Sequence, residues 1–413
     1  MGKFLFEGQG KSLMAKTLYL CYFGLREPLV QTQVLPYLRE IVKGGVKVSL
    51  LTFEKEPKVN WSKDEIAEMN QKLSLEGIDW SFLTYHQRPS LPATFFDVIC
   101  GAFFAWRKVR REKIDVLHTR AHIPLSMALP IKLLTNCKVI FDIRGLMAEE
   151  YIDAGVWKEN SFPVRIVKWI ERKGLEKADQ IVVLTNRMKN YLVENKLRDV
   201  ASIEVVPCCV DFSRMNVSQT EKKQRFELIY AGSVTGLYML KEMGEFFLAL
   251  KEVKKDAFFR VLTASAPENV HRVFDELKID RNDYAVEKVL PKDVLSITKK
   301  AHLAISFRTP TFSQIAASPT KIPEYLAVGL PVVSNDKIGD MDSLIEQSKV
   351  GIVIKEFDRS ALDKAVSNIL QLMEDKDLSL RCEKTAKENF DVKITGKENY
   401  LNVYRKIAKT LND

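Results

Sequence analysis

Short apolar runs alternate with stretches of helical periodicity along most of the chain. Thr17–Gly24 is an apolar run that ends in glycine, which predicts a strand followed by a loop. Gln31–Lys43 then carries apolar residues at helical spacing, and Val46–Phe53 is a second apolar run. Strands that alternate with helices form parallel sheets covered on both faces. This pattern therefore predicts an α/β fold.

The alternation pauses once, in a polar segment without periodicity. It continues to Val206, stops over Asp211–Lys223 and restarts at Phe226. We therefore expect two Rossmann-like halves facing a cleft, because ligands of open parallel sheets bind beyond the carboxyl ends of the strands. The predicted parts are a flexible leader (1–16), a first domain (17–210), a linker (211–223), a second domain (224–390) and a C-terminal helix (391–413).

Composition narrows the class of protein. The chain has 413 residues, which favours two or three domains. We find no apolar run long enough to cross a membrane, and residues 1–16 lack the apolar run of a secretory signal. Six scattered cysteines without a C-x-x-C pair are typical of reduced thiols, and with five histidines they form no zinc spacing. We expect a cytoplasmic protein, with the inner face of the membrane as a second candidate location.

The formal net charge is +9. Such an excess is compatible with nucleic acid, anionic lipid or phosphorylated substrates as partners, and equally with a solvated basic surface. No nucleic-acid-binding motif accompanies it, so we expect no nucleic-acid partner.

Ser318–Val333 carries the strongest chemical signal. It predicts a helix start, a carboxylate at Glu324 one turn inside, a glycine stop and a buried strand. Helix starts bind phosphate, and a carboxylate can hold the two hydroxyls of a ribose, so the segment indicates a nucleoside-diphosphate site. Lys321 falls on the same helix face as Glu324. The alternatives are a surface pair of Lys321 with Glu324, and a capping role for Ser318 and Thr320.

Other polar residues follow predicted strands, where ligands of parallel sheets bind. Gly232-Ser233 follows Phe226–Ala231, and Arg308 follows Leu303–Phe307. An ordinary turn is the alternative for Gly232-Ser233. The candidates of the first half are Asp142 and Arg144, His118 and Arg120, and Glu27 and Gln31. A structural ion pair between Asp142 and Arg144 and a core position for His118 remain open.

A basic stretch with aromatic residues lies at 95–113. Phe95, Phe96, Phe103, Phe104 and Trp106 precede five cations on a predicted helix. An amphipathic basic helix can lie on an anionic membrane. The alternative is a core helix with a solvated basic end.

Three segments together resemble a known family. They are Glu324–Val333 (EYLAVGLPVV), Val206–Asp211 (VPCCVD) and Tyr230–Ser233 (YAGS). In order and spacing they are similar to retaining glycosyltransferases of the GT-B fold, family 4, over residues 17–411. The resemblance implies a C-terminal helix that crosses back to the first domain. It implies donor contacts at Gly232, Ser233, Ser318, Pro319, Thr320, Lys321 and Glu324, and acceptor contacts at Glu27, Gln31, His118, Arg120 and Arg144.

The sequence departs from the family at three positions. Ala316 stands where members often carry a second carboxylate, and Ser233 and Tyr238 stand where many carry an arginine and a lysine. A departing diphosphate needs positive charge, which leaves Arg308 and Lys321, together with the backbone N–H groups of Ser318–Lys321 and of Gly232-Ser233. The catalytic candidates are these two cations and two carboxylates: Arg308, Lys321, Glu324 and Asp142.

The resemblance implies sugar transfer from a UDP- or GDP-sugar to a carbohydrate or a lipid-linked glycan in cell-surface polysaccharide or glycoconjugate synthesis. The nucleotide-sugar is a substrate, and we expect no cofactor and no metal. The alternatives are a scaffold subunit that binds sugar nucleotides without catalysis, and a GT-B sugar-nucleotide epimerase.

Overall fold

The computed structural model describes residues 14–215, 224–290 and 293–412. The strands are β1 (Ala15–Leu20), β2 (Val46–Lys55), β3 (Ile78–Tyr85), β4 (Val116–Arg120), β5 (Lys138–Asp142), β6 (Gln180–Val183), β7 (Ile203–Val205), β8 (Glu227–Ala231), β9 (Phe258–Leu262), β10 (Tyr284–Glu287), β11 (Leu303–Ser306), β12 (Val332–Asn335) and β13 (Gly351–Ile354).

Helices connect these strands. They are α1 (Pro28–Gln33), α2 (Leu35–Lys43), α3 (Pro57–Asn60), α4 (Lys63–Leu75), α5 (Ser90–Glu112), α6 (His122–Leu134), α7 (Met147–Asp153), α8 (Phe162–Lys177), α9 (Asn186–Glu194), α10 (Leu240–Val253), α11 (Pro267–Glu276), α12 (Val294–Thr298), α13 (Lys321–Ala327), α14 (Met341–Ser348), α15 (Arg359–Leu372), α16 (Leu378–Phe390) and α17 (Lys397–Asn412). A short 3₁₀ segment, Phe312–Ala316, precedes α13.

The strands form two parallel sheets, which confirms the predicted α/β fold. The first has the order β3-β2-β1-β4-β5-β6-β7, and the second β10-β9-β8-β11-β12-β13. In the first sheet Leu18 of β1 pairs with Ser49 on one side and Leu117 on the other. Such central strands are buried on both faces, which explains their nearly continuous apolar runs.

The chain divides into two compact units. One contains the described parts of Met1–Asp142, Lys173–Ile181 and Lys397–Asp413, and the other contains Ile143–Arg172 and the described parts of Val182–Gly396. The predicted domain boundaries stay a prediction. Most of the predicted leader (1–13) and linker (216–223) lies outside the described residues.

The C-terminal helix belongs to the first unit, as the resemblance implied. Tyr404 of α17 donates a hydrogen bond to Thr17 Oγ1 of β1 (3.2 Å), and Tyr400 donates to Asp142 Oδ2 of β5 (2.7 Å). Both tyrosines are fully buried. The helix thus supplies polar and aromatic groups to the interior of the unit that holds β1–β5.

Three short helices were not predicted from the sequence. They are α3, α7 and α14, with four, seven and eight residues. Helices of one or two turns carry too few apolar positions for a 3.6-residue period to show. Helix α5 also begins at Ser90, earlier than expected, because Pro92 in its first turn needs no intrahelical partner for its nitrogen. Among the described residues, no helix is both long and apolar enough to cross a bilayer.

Candidate functional site

Gly232 begins the loop that follows the central strand β8. Its φ is +151°, and a Cβ atom built there would lie 2.6 Å from Lys321 Nζ. This φ favours glycine, and a Cβ atom here would displace the Lys321 ammonium from its position beside the loop. The hydroxyl of Tyr230 donates to the carbonyl oxygen of Ser233, which fixes the turn.

Lys321 is a buried cation held between aromatic rings. The residue is only 8% exposed, and its Nζ atom donates a hydrogen bond to the Tyr230 hydroxyl at 3.0 Å. The same atom lies 3.9 Å from the ring centroid of Tyr238 and 4.5 Å from that of Tyr230. Burial, and then repulsion from Arg308, holds the pKa of Lys321 well below its ordinary value, while Glu324 opposes the shift. The alternative of a surface cation is wrong.

Arg308 is held on several sides. Its Nε donates to Gln314 Oε1 at 2.7 Å and its Nη1 to the Tyr238 hydroxyl at 3.3 Å. Its backbone N–H donates to Asn335 Oδ1, whose amide group in turn donates to the Arg308 carbonyl oxygen. The guanidinium carbon lies 5.0 Å from the ring centroid of Tyr238. The orientation of Arg308 is therefore set by the protein before any ligand arrives.

Arg308, Lys321, Tyr230 and Tyr238 form what we call the cation cluster. Two positive side chains meet on one tyrosine ring, beside the Gly232 turn. Glu324 lies in the first turn of α13, one turn beyond Lys321, and is half-buried. The second unit thus brings together four of the predicted residues: Gly232, Arg308, Lys321 and Glu324. The cluster can neutralise a dianion, because its two cations are fixed and partly shielded from water.

Ser318, Pro319 and Thr320 form the approach to α13. Ser318 is buried, and its Oγ accepts a hydrogen bond from the Cys208 N–H at 3.1 Å. Thr320 stands at the N-cap of α13 without a side-chain capping bond. The capping interpretation is therefore wrong for Thr320, and Ser318 instead ties this segment to the predicted VPCCVD segment.

Arg144 lies near the same segment. Its Nη2 donates to Cys208 Sγ at 3.3 Å, so Arg144 and Ser318 both contact one cysteine. Its predicted contact with the acceptor stays a prediction.

Asp142 and His118 lie in the interior of the first unit. Both side chains have no exposed surface, and His118 Nε2 is 3.7 Å from Asp142 Oδ2. His118 Nδ1 is within 2.9 Å of the Tyr404 hydroxyl. The core position that we considered for His118 is thus observed. The predicted roles of the two residues toward ligands stay predictions.

The remaining candidates lie on β4 and around the loop after β1. Arg120 at the end of β4 is buried, Glu27 pairs with Lys55 at 2.8 Å, and Gln31 Nε2 donates to the Leu25 carbonyl oxygen at 2.6 Å.

The β1 loop is organised by Glu54, which sequence reasoning missed. This buried carboxylate accepts from the Leu25 N–H (2.7 Å), the Thr52 hydroxyl (2.6 Å) and the Trp61 indole (3.2 Å).

The aromatic and amide members of the site were also missed. Tyr230, Tyr238, Gln314 and Asn335 position the two cations. The only available signal was the location of Tyr230 and Asn335 at the ends of strands β8 and β12. In the described part of the chain, no group of three or more His, Cys, Asp or Glu residues could hold a metal ion.

Solved structures identify the fold as GT-B. A glycosyltransferase from Rickettsia africae ESF-5 is similar over 96% of this chain and 99% of its own, with 17% identity and a TM-score of 0.67. Sucrose-phosphate synthase from Thermosynechococcus elongatus is similar over 96% and 100%, with 12% identity and a TM-score of 0.69. HepE from Anabaena, in complex with UDP and glucose, is similar over 96% and 99%, with 12% identity and a TM-score of 0.64. No curated protein sequence matches the chain significantly.

A family model matches part of the sequence. Residues 30–214 match the model of Glycosyltransferase Family 4. This match covers a little under half of the chain, and together with the two parallel sheets it supports a family-4 glycosyltransferase of the GT-B fold. The protein is therefore a glycosyltransferase.

Proposed function

We propose that the protein transfers a hexosyl group, with retention at the anomeric carbon, from a UDP- or GDP-sugar to a carbohydrate or lipid-linked glycan. We place this reaction in the synthesis of cell-surface polysaccharide or glycoconjugate. The observation that carries the proposal is the cation cluster beside the Gly232 turn. The HepE structures with UDP and with UDP-glucose support a nucleotide-sugar as donor.

Each residue of the site has a proposed task. Arg308 and Lys321 neutralise the departing diphosphate, and Glu324 holds the ribose hydroxyls. Positive side chains that are already held in place stabilise the negative charge that develops on the diphosphate, because they do not have to reorganise during the reaction. The two side chains supply the charge that a metal ion would otherwise bring, so we propose a metal-independent reaction.

In the proposed step the bond from the anomeric carbon to the diphosphate oxygen breaks, and a bond to the acceptor oxygen forms on the same face. The acceptor hydroxyl gives its proton to the departing phosphate oxygen. This route needs no pair of catalytic carboxylates of the glycosidase kind.

A panel of UDP-, GDP- and ADP-sugars tests the proposal. Binding is measured by calorimetry, diphosphate release in a coupled assay, and the anomeric configuration of the product by NMR. Release of diphosphate with a retained configuration supports the proposal. Binding without turnover, even with lipid-linked acceptors, would favour the scaffold subunit, and interconversion of sugar nucleotides without an acceptor would favour the epimerase. The absence of any sugar-nucleotide binding would refute the donor site.

A further inference from the structure

Helix α5 exposes a stripe of large apolar side chains to solvent. Phe95 is 68% exposed and Phe103 58% exposed, and Leu91, Phe96 and Ile99 are also exposed on this helix. Leu91, Phe95, Ile99 and Phe103 recur every four residues, so they lie along one side of the helix. Phe95 and Phe103 are eight residues apart, which is about 12 Å along a helix. Isolated exposed apolar residues are common, but a continuous stripe of this kind indicates a binding surface.

The C-terminal third of the same helix is cationic. Arg107 lies over the ring of Phe103, and Arg110 lies over that of Trp106, with centroid distances of 5.9 and 5.5 Å. These side chains, with Phe104, Lys108 and Arg111, line a shallow concavity of about 530 Å³. The aromatic stripe therefore leads directly into a positively charged hollow.

Helix α5 presents almost no negative charge. It contains two carboxylates, Asp97 and Glu112. Asp97 is buried and accepts from the Tyr22 hydroxyl at 2.7 Å, and Glu112 pairs with Lys108 and Arg111. The exposed face thus combines apolar rings with positive charge.

We propose that this face of α5, which we call the α5 stripe, binds the surface of an anionic phospholipid bilayer. The phenylalanines would enter the boundary between headgroups and acyl chains, while Arg107 and Arg110 contact lipid phosphates. Amphipathic helices with large apolar residues and flanking cations bind membranes in this way. The complementarity of charge selects an anionic bilayer as the occupant. The proposal does not depend on sugar transfer, since it uses none of the residues of the cation cluster.

Co-sedimentation of the full chain with vesicles tests this proposal. We expect binding to mixed phosphatidylcholine and phosphatidylglycerol vesicles, much weaker binding to phosphatidylcholine alone, and loss of binding as salt is added. The double variant Phe95→Ser/Phe103→Ser should bind at least about tenfold more weakly, because it removes two rings from the apolar face. Arg107→Gln/Arg110→Gln should lose about fivefold in affinity per arginine.

Matched variants elsewhere serve as controls. Leu133→Ser/Leu134→Ser changes two exposed apolar residues on α6, and Lys254→Gln/Lys255→Gln changes two exposed lysines of the second unit. Both should bind vesicles like the unchanged protein. Circular dichroism and thermal unfolding confirm that each variant is folded.

Three outcomes would overturn the proposal. They are no binding at low salt, equal binding to both kinds of vesicle, and binding that the α5 variants leave unchanged. Self-association that the Phe95→Ser/Phe103→Ser variant abolishes, without vesicle binding, would identify a second copy of the chain as the occupant. A failure here leaves sugar-nucleotide binding untouched, so the two proposals can fail separately.

Discussion

Replacing Lys321 with methionine should stabilise the empty protein and weaken its binding of nucleotide. The ammonium is buried, with one hydrogen bond to Tyr230 and two tyrosine rings beside it. Methionine keeps most of the side-chain length but removes the charge. The Lys321 ammonium destabilises the empty site, and it is also the group that we expect to contact the diphosphate.

The size of both effects follows from the contacts of Lys321. Burying an ammonium costs several kcal/mol, whereas its hydrogen bond returns about 1.5–3 kcal/mol and a shielded cation–π contact about 2 kcal/mol. We expect a net gain of about 1–2 kcal/mol in the free energy of unfolding on substitution. Loss of one charged hydrogen bond to phosphate, worth about 1.5–3 kcal/mol, should weaken UDP binding by about 10- to 150-fold.

The stability gain should depend on pH. Because the pKa of Lys321 is lowered in the folded state, the unfolded chain binds more protons between that lowered pKa and the ordinary value of 10.5. The stability contributed by this group therefore rises with pH across that window. The advantage of methionine should be largest below the lowered pKa and should vanish as the pH approaches 10.5.

Thermal unfolding and UDP calorimetry across a pH series measure these effects. Lys384→Met is the control, since Lys384 is largely exposed on α16 and makes only a weak pair with Glu388 at 3.8 Å. It should change neither stability nor UDP affinity appreciably. A Lys321→Met protein that is less stable at neutral pH and binds UDP normally would refute this account of Lys321.

Further substitutions test other parts of the structure. Glu324→Ala should weaken UDP binding by at least about tenfold through loss of the ribose contact, and calorimetry that finds unchanged affinity would contradict that role. Arg308→Ala should lower kcat by about 10²–10³. Gln314→Ala, which removes a partner of Arg308, should cost less than Arg308→Ala, and an equal or larger loss would argue against a positioning role for Gln314. Tyr400→Phe should destabilise the protein by about 1–3 kcal/mol in urea unfolding, because it leaves a buried Asp142 oxygen without this donor; an unchanged midpoint would count against that bond.

Most of the fold could be predicted because its strands are buried on both faces. Gly351–Ile354 contains no polar side chain, and Val46–Phe53 is mostly apolar, with Lys47, Ser49 and Thr52 as its polar residues. Both runs end near glycine or polar residues, so they were identified as strands. The short helices α7 and α14 lacked such a signal. Their stability comes from packing against distant segments, which a local pattern does not contain.

The candidate site was predictable only in part. Gly232 and Lys321 lie in segments with local signatures, a glycine after a strand and a helix start. The contact between them joins segments 89 positions apart and depends on the absence of a Cβ atom at Gly232. The substitution of a family lysine by Tyr238 suggested lost positive charge. The structure shows instead that this ring is where Arg308 and Lys321 meet.

The position of α17 has a consequence for the order of folding. Tyr404 and Tyr400 are buried hydrogen-bond partners of Thr17, His118 and Asp142. These three residues precede the tyrosines by hundreds of positions in the sequence. During synthesis, β1, β4 and β5 emerge from the ribosome long before these partners exist. The first unit therefore cannot complete its polar interior until α17 has been synthesised.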